Sequence, residues 1–352
     1  MPKIIFDGLC KEEFIFERAM LRLNKNIKIF FNYFFGPVLF VWLSLSIYHQ
    51  VKNQPDLELS WIKIKYALNG EQSWMFWVVF LLMFLNWGIE ARKWQLLIKP
   101  LESIGLWKAF KATLSGVAFA INTPNRMGEY GGRVLYLHEG NRIRAVSLTI
   151  VGSISQFLIT LILGCGGMIF LLNNHGPSTT LLGSGPYLLW IKVILYLVTV
   201  AAMLGLIFYF RLAWLVKLVD KIPVFSKFVP HIEILEELSN ASLLRILSLS
   251  FFRYCIFIIQ YILMIKLMQV NVTVWQAFWL ISVIFLVLAV VPTIALAEIG
   301  IRGKVSLELF GLFSINTIGI ITASVGIWFV NLVIPSLLGS ILIFRIKIFK
   351  NR

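Results

Sequence analysis

The stretch Pro124-Asn-Arg-Met-Gly-Glu-Tyr-Gly-Gly-Arg133 decides the fold of this chain, because it places charges and glycines inside long apolar sequence. A second stretch, Pro292-Thr-Ile-Ala-Leu-Ala-Glu-Ile-Gly-Ile-Arg302, lies about half a chain later. Both end in Glu-x-Gly-x-Arg, and each begins with a proline. Ionisable side chains in apolar surroundings are costly and commonly mark a pathway or a binding site. The repetition predicts one site assembled from two repeated halves.

Composition predicts an integral membrane protein that crosses the bilayer several times. Hydrophobic residues make up 59% of the 352 residues, charged residues make up 14%, and the mean hydropathy is +0.84. A soluble domain does not need so much apolar surface. The net charge is +15, but the basic residues are distributed among the loops between the apolar runs and do not form a groove-lining patch. Nucleic acid is therefore not an expected partner. Three distant cysteines and four isolated histidines predict no disulfide framework, no metal site and no cofactor.

The apolar runs predict an all-α polytopic membrane bundle of about eight transmembrane helices with two re-entrant segments. Two intervals, 107–140 and Pro292–Lys304, are interrupted by proline and glycine. Irregular backbone at membrane depth needs protein or water to satisfy its polar groups, so we predict a re-entrant hairpin at each. The glycines that form this irregular backbone are Gly128, Gly131, Gly132 and Gly300, behind Pro124 and Pro292. The apolar runs are 29–48, 75–98, 145–172, 187–210, 243–268, 274–291, 305–319 and 321–344.

The sequence predicts three regions and an orientation in the cell (inner) membrane. Residues 1–28 are charged and mildly amphipathic, which favours a cytoplasmic interfacial segment, with a disordered tail as the alternative. A transmembrane domain at 29–345 and a cytoplasmic tail at 346–352 follow. Lysine and arginine concentrate in alternate loops, which places both termini in the cytoplasm. On this topology both Glu-x-Gly-x-Arg copies lie on the cytoplasmic side, with an inverted repeat as the open alternative.

The candidate site is a set of charged residues suited to a lipid headgroup, because glycine-rich backbone and arginine together favour phosphate. Arg253 lies near the middle of its apolar run. With Lys304 and Glu308 included, the charged residues of the two stretches together with Arg253 comprise five cations and three carboxylates. The alternative is that each glutamate pairs with its neighbouring arginine only to lock the hairpins together. The predicted headgroup-binding residues are Arg126, Glu129, Arg133, Arg253, Glu298 and Arg302.

Charged residues and tryptophans near the ends of the apolar runs are expected to lie at the membrane surface. Glu90, Arg92 and Lys93 lie toward one end of the run 75–98, where long side chains can reach water. Several tryptophans near run ends or in loops, including Trp87 and Trp94, fit an aromatic belt at the headgroup level. No DxD motif, hydrolytic triad, P-loop or HExxH motif is present, so we predict no catalytic residue and no enzyme activity.

These residues resemble the lysylphosphatidylglycerol synthase transmembrane-region family of flippase-like membrane proteins. The resemblance rests on Asn122-Thr-Pro-Asn-Arg-Met-Gly-Glu129 with Arg133, on Lys93-Trp-Gln-Leu-Leu97, and on Pro292 with Gly300-Ile-Arg302. It implies movement of a phospholipid or polyprenyl-phosphate-type lipid between leaflets. The long synthases also carry a soluble aminoacyl-transfer domain, and nothing here resembles it. A second hypothesis is an accessory subunit that binds a lipid-linked intermediate for a partner glycosyltransferase or lipid-modifying enzyme. A small-solute transporter is a third, and the sequence leaves the oligomeric state open.

Overall fold

The computed structural model describes residues 69–121, 123, 126–173, 186–221, 229–291 and 298–343, with a few isolated positions before residue 69. This part of the chain is helical and contains no strand, so the all-α prediction is confirmed there. The predicted interfacial segment, the run 29–48 apart from one position, and the C-terminal tail lie outside the described residues. The helices are α1 Trp74–Ile98, α2 Leu106–Ala120, α3 Gly128–Val134, α4 Arg142–Asn173, α5 Pro186–Phe210, α6 Leu212–Asp220, α7 Val229–Ile232, α8 Asn240–Leu267, α9 Val274–Val290, α10 Glu298–Gly311, α11 Thr317–Trp328 and α12 Ile334–Ile343.

Among the described residues, five helical segments are long and apolar enough to cross a membrane. They agree with five of the predicted runs. Two other runs behave differently: 274–291 forms the 17-residue helix α9, and 305–319 is not a helix of its own. The chain leaves helix α10 after Gly311, and α11 begins at Thr317. The five segments are Trp74–Ile98, Glu139–Asn173, Leu189–Phe210, Asn240–Leu267 and Thr317–Ile343.

Helices α1 and α8 form an antiparallel pair. The Lys93 ammonium contacts the Ser250 hydroxyl at 3.3 Å, and the Gln260 side-chain amide donates to the Val79 carbonyl at 2.9 Å. Residue numbers therefore rise along one helix as they fall along the other. Helix α4 runs parallel to α8, because Ser155 contacts Ser250 at 2.7 Å and Gln156 contacts Arg253 at 3.3 Å, so residue numbers rise together along both helices. This arrangement gives the bundle two opposite ends.

One end, which we call the Glu102 end, contains the C-terminus of α1 and the loops on either side of the α2–α3 pair. The Glu102 carboxylate accepts a hydrogen bond from the His138 backbone at 3.1 Å and lies 2.9 Å from the His138 imidazole. It also forms an ion pair with Lys108 at 3.1 Å. Burial alone would raise the pKa of Glu102, but these bonds from His138 and Lys108 outweigh burial and lower the pKa to about 2. The loop before α2 is thereby joined to the loop after α3.

At the other end, which we call the Gln269 end, the C-terminus of α8 contacts the N-terminus of α11. Gln269 has a φ of 57°, and the Val270 N–H donates to the Ile265 carbonyl at 3.0 Å, as in helices that end in a left-handed residue. The Asn316 side-chain amide donates to the carbonyls of Met268 and Gln269, both at 3.0 Å. Its carbonyl oxygen caps α11. The chain segments before α9 and after α10 therefore meet at this end.

Helices α2 and α3 form a tight antiparallel pair, which we call the first hairpin. A Cβ added at Gly132 would lie 2.6 Å from the Gly116 Cα, and one at Gly128 would lie 2.3 Å from the Phe119 carbonyl oxygen. Such distances leave no room for a side chain, so the two backbones pack directly on each other. Gly131, in contrast, has open space beside it. The predicted interruption of 107–140 is therefore a helix hairpin whose tip lies between Ala120 and Gly128.

Helices α9 and α10 form the second hairpin, and it corrects the predicted arrangement. The Arg302 guanidinium lies 5.8 Å from the centre of the Phe285 ring, so the arms pack together near the tip. Because Asn316 bonds to Gln269, the second hairpin opens at the Gln269 end, whereas the first opens at the Glu102 end. The prediction that both copies enter from the same side was wrong, and the opposed hairpins agree with the inverted repeat that the sequence left open. The reason is that α10 continues to Gly311 instead of ending in the interval 292–304.

Candidate charged site between two hairpins

The site is centred on Glu90, a carboxylate of α1 that is 4% exposed. Its oxygens form ion pairs with Lys93 at 2.7 Å, Arg133 at 2.8 Å and Arg253 at 3.3 Å. The three cations come from α1, α3 and α8 and are themselves buried. A buried carboxylate is tolerated where such partners replace the lost hydration. Glu90 therefore joins the first hairpin to the antiparallel pair of α1 and α8.

Glu90 and Lys93 were not among the predicted site residues, because their position near one end of α1 suggested that they reach water. Only Arg92 does so: it is exposed, and its guanidinium binds the Gln95 side chain. A signal was available in the spacing of Asn86, Glu90 and Lys93. Steps of four and three residues put these polar groups on a single helix face. The same face buries Met83, Trp87, Trp94 and Leu97, so the aromatic-belt prediction was wrong for Trp87 and Trp94.

Arg253 lies halfway along α8, where the sequence predicts a residue at membrane depth. Its guanidinium lies about equally far, 5.0 and 5.1 Å, from the ring centres of Trp87 and Phe257. Its Nε donates to the Asn86 side-chain oxygen at 2.8 Å, and one Nη donates to Gln156 at 3.3 Å. Aromatic faces and neutral oxygens stabilise the cation without cancelling its charge. Glu90 is the only described carboxylate in ion-pair contact with Arg253, and it is shared with Lys93 and Arg133.

The first motif contributes two arginines with different surroundings. Arg133 is buried and shared between Glu90 and Glu129, the latter one helical turn away. Arg126 is half-buried and has a φ of 59°, a left-handed conformation that is uncommon for residues with a Cβ. None of the described carboxylates lies within ion-pair distance of Arg126. Its Nε is buried without a hydrogen-bond partner among the described residues.

The second motif repeats the local pairing of the first. Glu298 opens α10 and forms an ion pair with Arg302, as Glu129 does with Arg133. Across the motifs, Glu298 interacts electrostatically with Arg126, and Arg253 of α8 interacts with both Glu129 and Arg126. The tips of the two hairpins are therefore neighbours, and all six predicted headgroup-binding residues lie in one region. The direct ion pairs are made within each motif and to Glu90.

The remaining predicted residues are the prolines and glycines of the two motifs and the charged residues Lys304 and Glu308. Pro124 and Pro292 lie outside the described residues. Gly128 and Gly132 allow close backbone contact, whereas Gly131 and Gly300 have open space beside them. Lys304 and Glu308 are exposed on α10 and do not join the charged region. Lys93 and Glu90 join the charged region instead, so it still contains five cations and three carboxylates.

A cavity of about 480 Å³ lies at the Gln269 end, lined in part by Tyr66, Gln72 and Met268. Met268 follows Arg253 by fifteen positions, which corresponds to roughly 20 Å along α8. The cavity contains none of the charged residues described above. We therefore assign the candidate site to the hairpin tips, where charge is concentrated, and not to this cavity. Among the described residues no group of histidines, cysteines and carboxylates is arranged to hold a metal ion.

Long apolar helices, two opposed hairpins and a buried charge network define an all-helical membrane protein of the multi-pass class. The family model for the lysylphosphatidylglycerol synthase TM region matches residues 58–339, so the chain belongs to that family. The matched range includes both hairpins and every charged residue of the site. No curated protein and no solved structure matches the chain.

Proposed function

We propose that this protein binds the anionic headgroup of a lipid between its two hairpins and moves that lipid from one leaflet to the other. Phospholipids and polyprenyl-phosphate-type lipids have the required chemistry. Membership of the flippase-like family supports the proposal. The meeting of the hairpin tips supports it further, because each hairpin opens toward a different end of the bundle.

Arg126 is the observation that carries the proposal. The other arginines of the site each have an ion-pair partner, whereas Arg126 has none among the described carboxylates. A left-handed φ costs a residue with a Cβ on the order of 1–2 kcal/mol, and such strain is commonly found at functional positions. A phosphate oxygen would accept the hydrogen bond that Arg126 Nε lacks.

We further propose six transmembrane helices and two re-entrant hairpins, with both termini in the cytoplasm. The run 29–48 and the five described spans give six, because 274–291 and 305–319 become arms of the second hairpin. The Glu102 end carries most of the basic loop residues and is assigned to the cytoplasm. Reporter fusions after residues 180 and 270 should report the outside, and fusions after 225 and 352 the cytoplasm. A cytoplasmic signal at 180 would overturn this topology.

Replacing Arg126 with glycine separates binding from folding. Glycine adopts a left-handed φ without the Cβ penalty, so Arg126→Gly should melt at the wild-type temperature or higher. Loss of the guanidinium should slow lipid movement by at least about tenfold, the effect of one charge-assisted bond worth roughly 1.5–3 kcal/mol. The measurement is a leaflet-resolved assay in proteoliposomes that contain fluorescent phosphatidylglycerol and phosphatidic acid. Arg126→Lys, which keeps the charge, should retain part of the rate.

Each outcome has a clear meaning. Wild-type movement by Arg126→Gly would contradict the role of Arg126. A variant that unfolds would favour the alternative in which the charges only lock the hairpins together. If wild-type protein binds lipid but leaves it in the original leaflet, the protein fits an accessory subunit for a lipid-modifying enzyme or glycosyltransferase.

A further inference from the structure

The charges at the hairpin tips do not balance, and this imbalance bears on which headgroup the site accepts. The inference rests on the function proposed above and narrows its ligand. We call the set the charge cluster. It contains five cations and three carboxylates: Lys93, Arg126, Arg133, Arg253 and Arg302, with Glu90, Glu129 and Glu298.

The members of the charge cluster interact through a continuous network. Glu90 binds three of the cations directly, and Glu129 and Glu298 each bind an arginine of their own motif. Arg126 interacts electrostatically with Glu298 and with Arg253, which joins the two motifs. The sequence that connects the two arms of each hairpin, 121–125 and 291–297, contains no ionisable residue. With every member ionised, the described cluster has two uncompensated positive charges.

Two uncompensated charges are expensive in a protein interior that excludes water. A ligand with one negative charge removes only half of the imbalance, whereas a dianion removes it all. Unbonded donors point to the same need: the Nε atoms of Arg126, Arg133 and Arg302 are buried without a hydrogen-bond partner among the described residues. These donors come from both hairpins, so one anion with several oxygens could contact both motifs.

We infer that the site selects a lipid whose headgroup is a phosphate monoester, which carries close to two negative charges, over a phosphodiester lipid, which carries one. A phosphate monoester has a second pKa near 6, so it carries about −1.5 to −2 at pH 7. It also has three acceptor oxygens, which suit arginine donors approaching from two hairpins. The geometry concerns the headgroup and leaves the lipid tail unspecified.

The test compares two lipids that share acyl chains, in nanodiscs that contain the full-length protein. Dioleoyl phosphatidic acid is the monoester, dioleoyl phosphatidylglycerol is the diester, and phosphatidylcholine gives the baseline. At pH 8 the wild-type protein should prefer phosphatidic acid by at least about tenfold, a difference of roughly 1.4 kcal/mol. The preference should decrease toward pH 5.5, where the monoester takes up its second proton.

Charge variants make the test specific. Arg126→Gln lowers the excess from two charges to one, so the preference should fall toward equal binding. Glu129→Gln raises the excess to three, so the preference should be kept or increased. Lys304→Gln removes an exposed lysine outside the cluster and serves as the matched control, with wild-type selectivity expected.

The results distinguish this inference from the proposed function. Equal binding of both anionic lipids would overturn the inference and leave the proposed function standing. Binding of neither lipid above the phosphatidylcholine baseline would overturn both. A preference that Arg126→Gln and Lys304→Gln reduce equally would also overturn the inference, because general surface charge would then explain it.

Discussion

Glu90→Gln should be among the most damaging single substitutions in this protein. The change leaves Lys93, Arg133 and Arg253 without the carboxylate that they share, and all three are buried. Breaking a buried ion pair by removing one partner costs about 3–5 kcal/mol, because a charge remains without compensation. We therefore expect little folded protein in the membrane and a melting temperature in detergent many degrees below that of wild type.

Two further variants make this result informative. Arg92→Gln changes an exposed cation on the same helix and should melt like wild type. Lys93→Met removes one of the uncompensated cations, so the double variant with Glu90→Gln should recover part of the lost stability. A Glu90→Gln protein as stable as Arg92→Gln would show that the carboxylate does not hold the three cations together.

Gly132→Ala should have the second largest effect, through packing instead of charge. The new methyl group would lie 2.6 Å from the Gly116 Cα and 2.8 Å from the Ser115 carbonyl oxygen, so backbone must move. Overpacking typically costs 1–3 kcal/mol, and here it would also separate α3 from α2 and shift Arg133. We expect a lower melting temperature and slower lipid movement than in wild type.

Gly131→Ala is the matched control, because it makes the same chemical change one residue earlier in α3. Its methyl group enters open space. Alanine favours helix over glycine by about 1 kcal/mol, so this variant should equal or exceed the stability of wild type. If both variants melt at the same temperature, direct packing of α2 on α3 does not hold the first hairpin closed.

The sequence allowed much of the fold and part of the site to be predicted. Apolar runs of about 20 residues identified the long helices, because length and hydropathy are set by the bilayer. The motif with Arg126, Glu129 and Arg133 stood out because charge is rare in such surroundings. Arg253 stood out for the same reason, at the middle of its helix. These features depend on local sequence alone.

Two features depended on contacts that local sequence does not contain. Lys93 was predicted to reach water because it lies five residues before the end of α1, yet its side chain points inward to Glu90. The direction of the second hairpin was misread because the interval 285–316 has only Arg302 and Lys304 as basic residues. The positive-inside rule assigns orientation from lysine and arginine, so it gives little information about such a segment. The bond from Asn316 to the end of α8 decides the direction, and it joins residues far apart in sequence.

The two hairpins are held in place by different kinds of contact. Backbone contact fixes the first hairpin at Gly116 and Gly132, and again where a Cβ at Gly339 of α12 would lie 1.9 Å from the Leu114 carbonyl oxygen. In the second hairpin, Gly300 and Gly303 have free space beside them, and the Ser306 hydroxyl bonds to Tyr261 and Ser324, bonds that can exchange for water. Displacing α3 would therefore break direct backbone packing, which Gly300 and Gly303 of α10 do not make. We therefore expect the first hairpin to be the more rigid of the two and the second to move more readily.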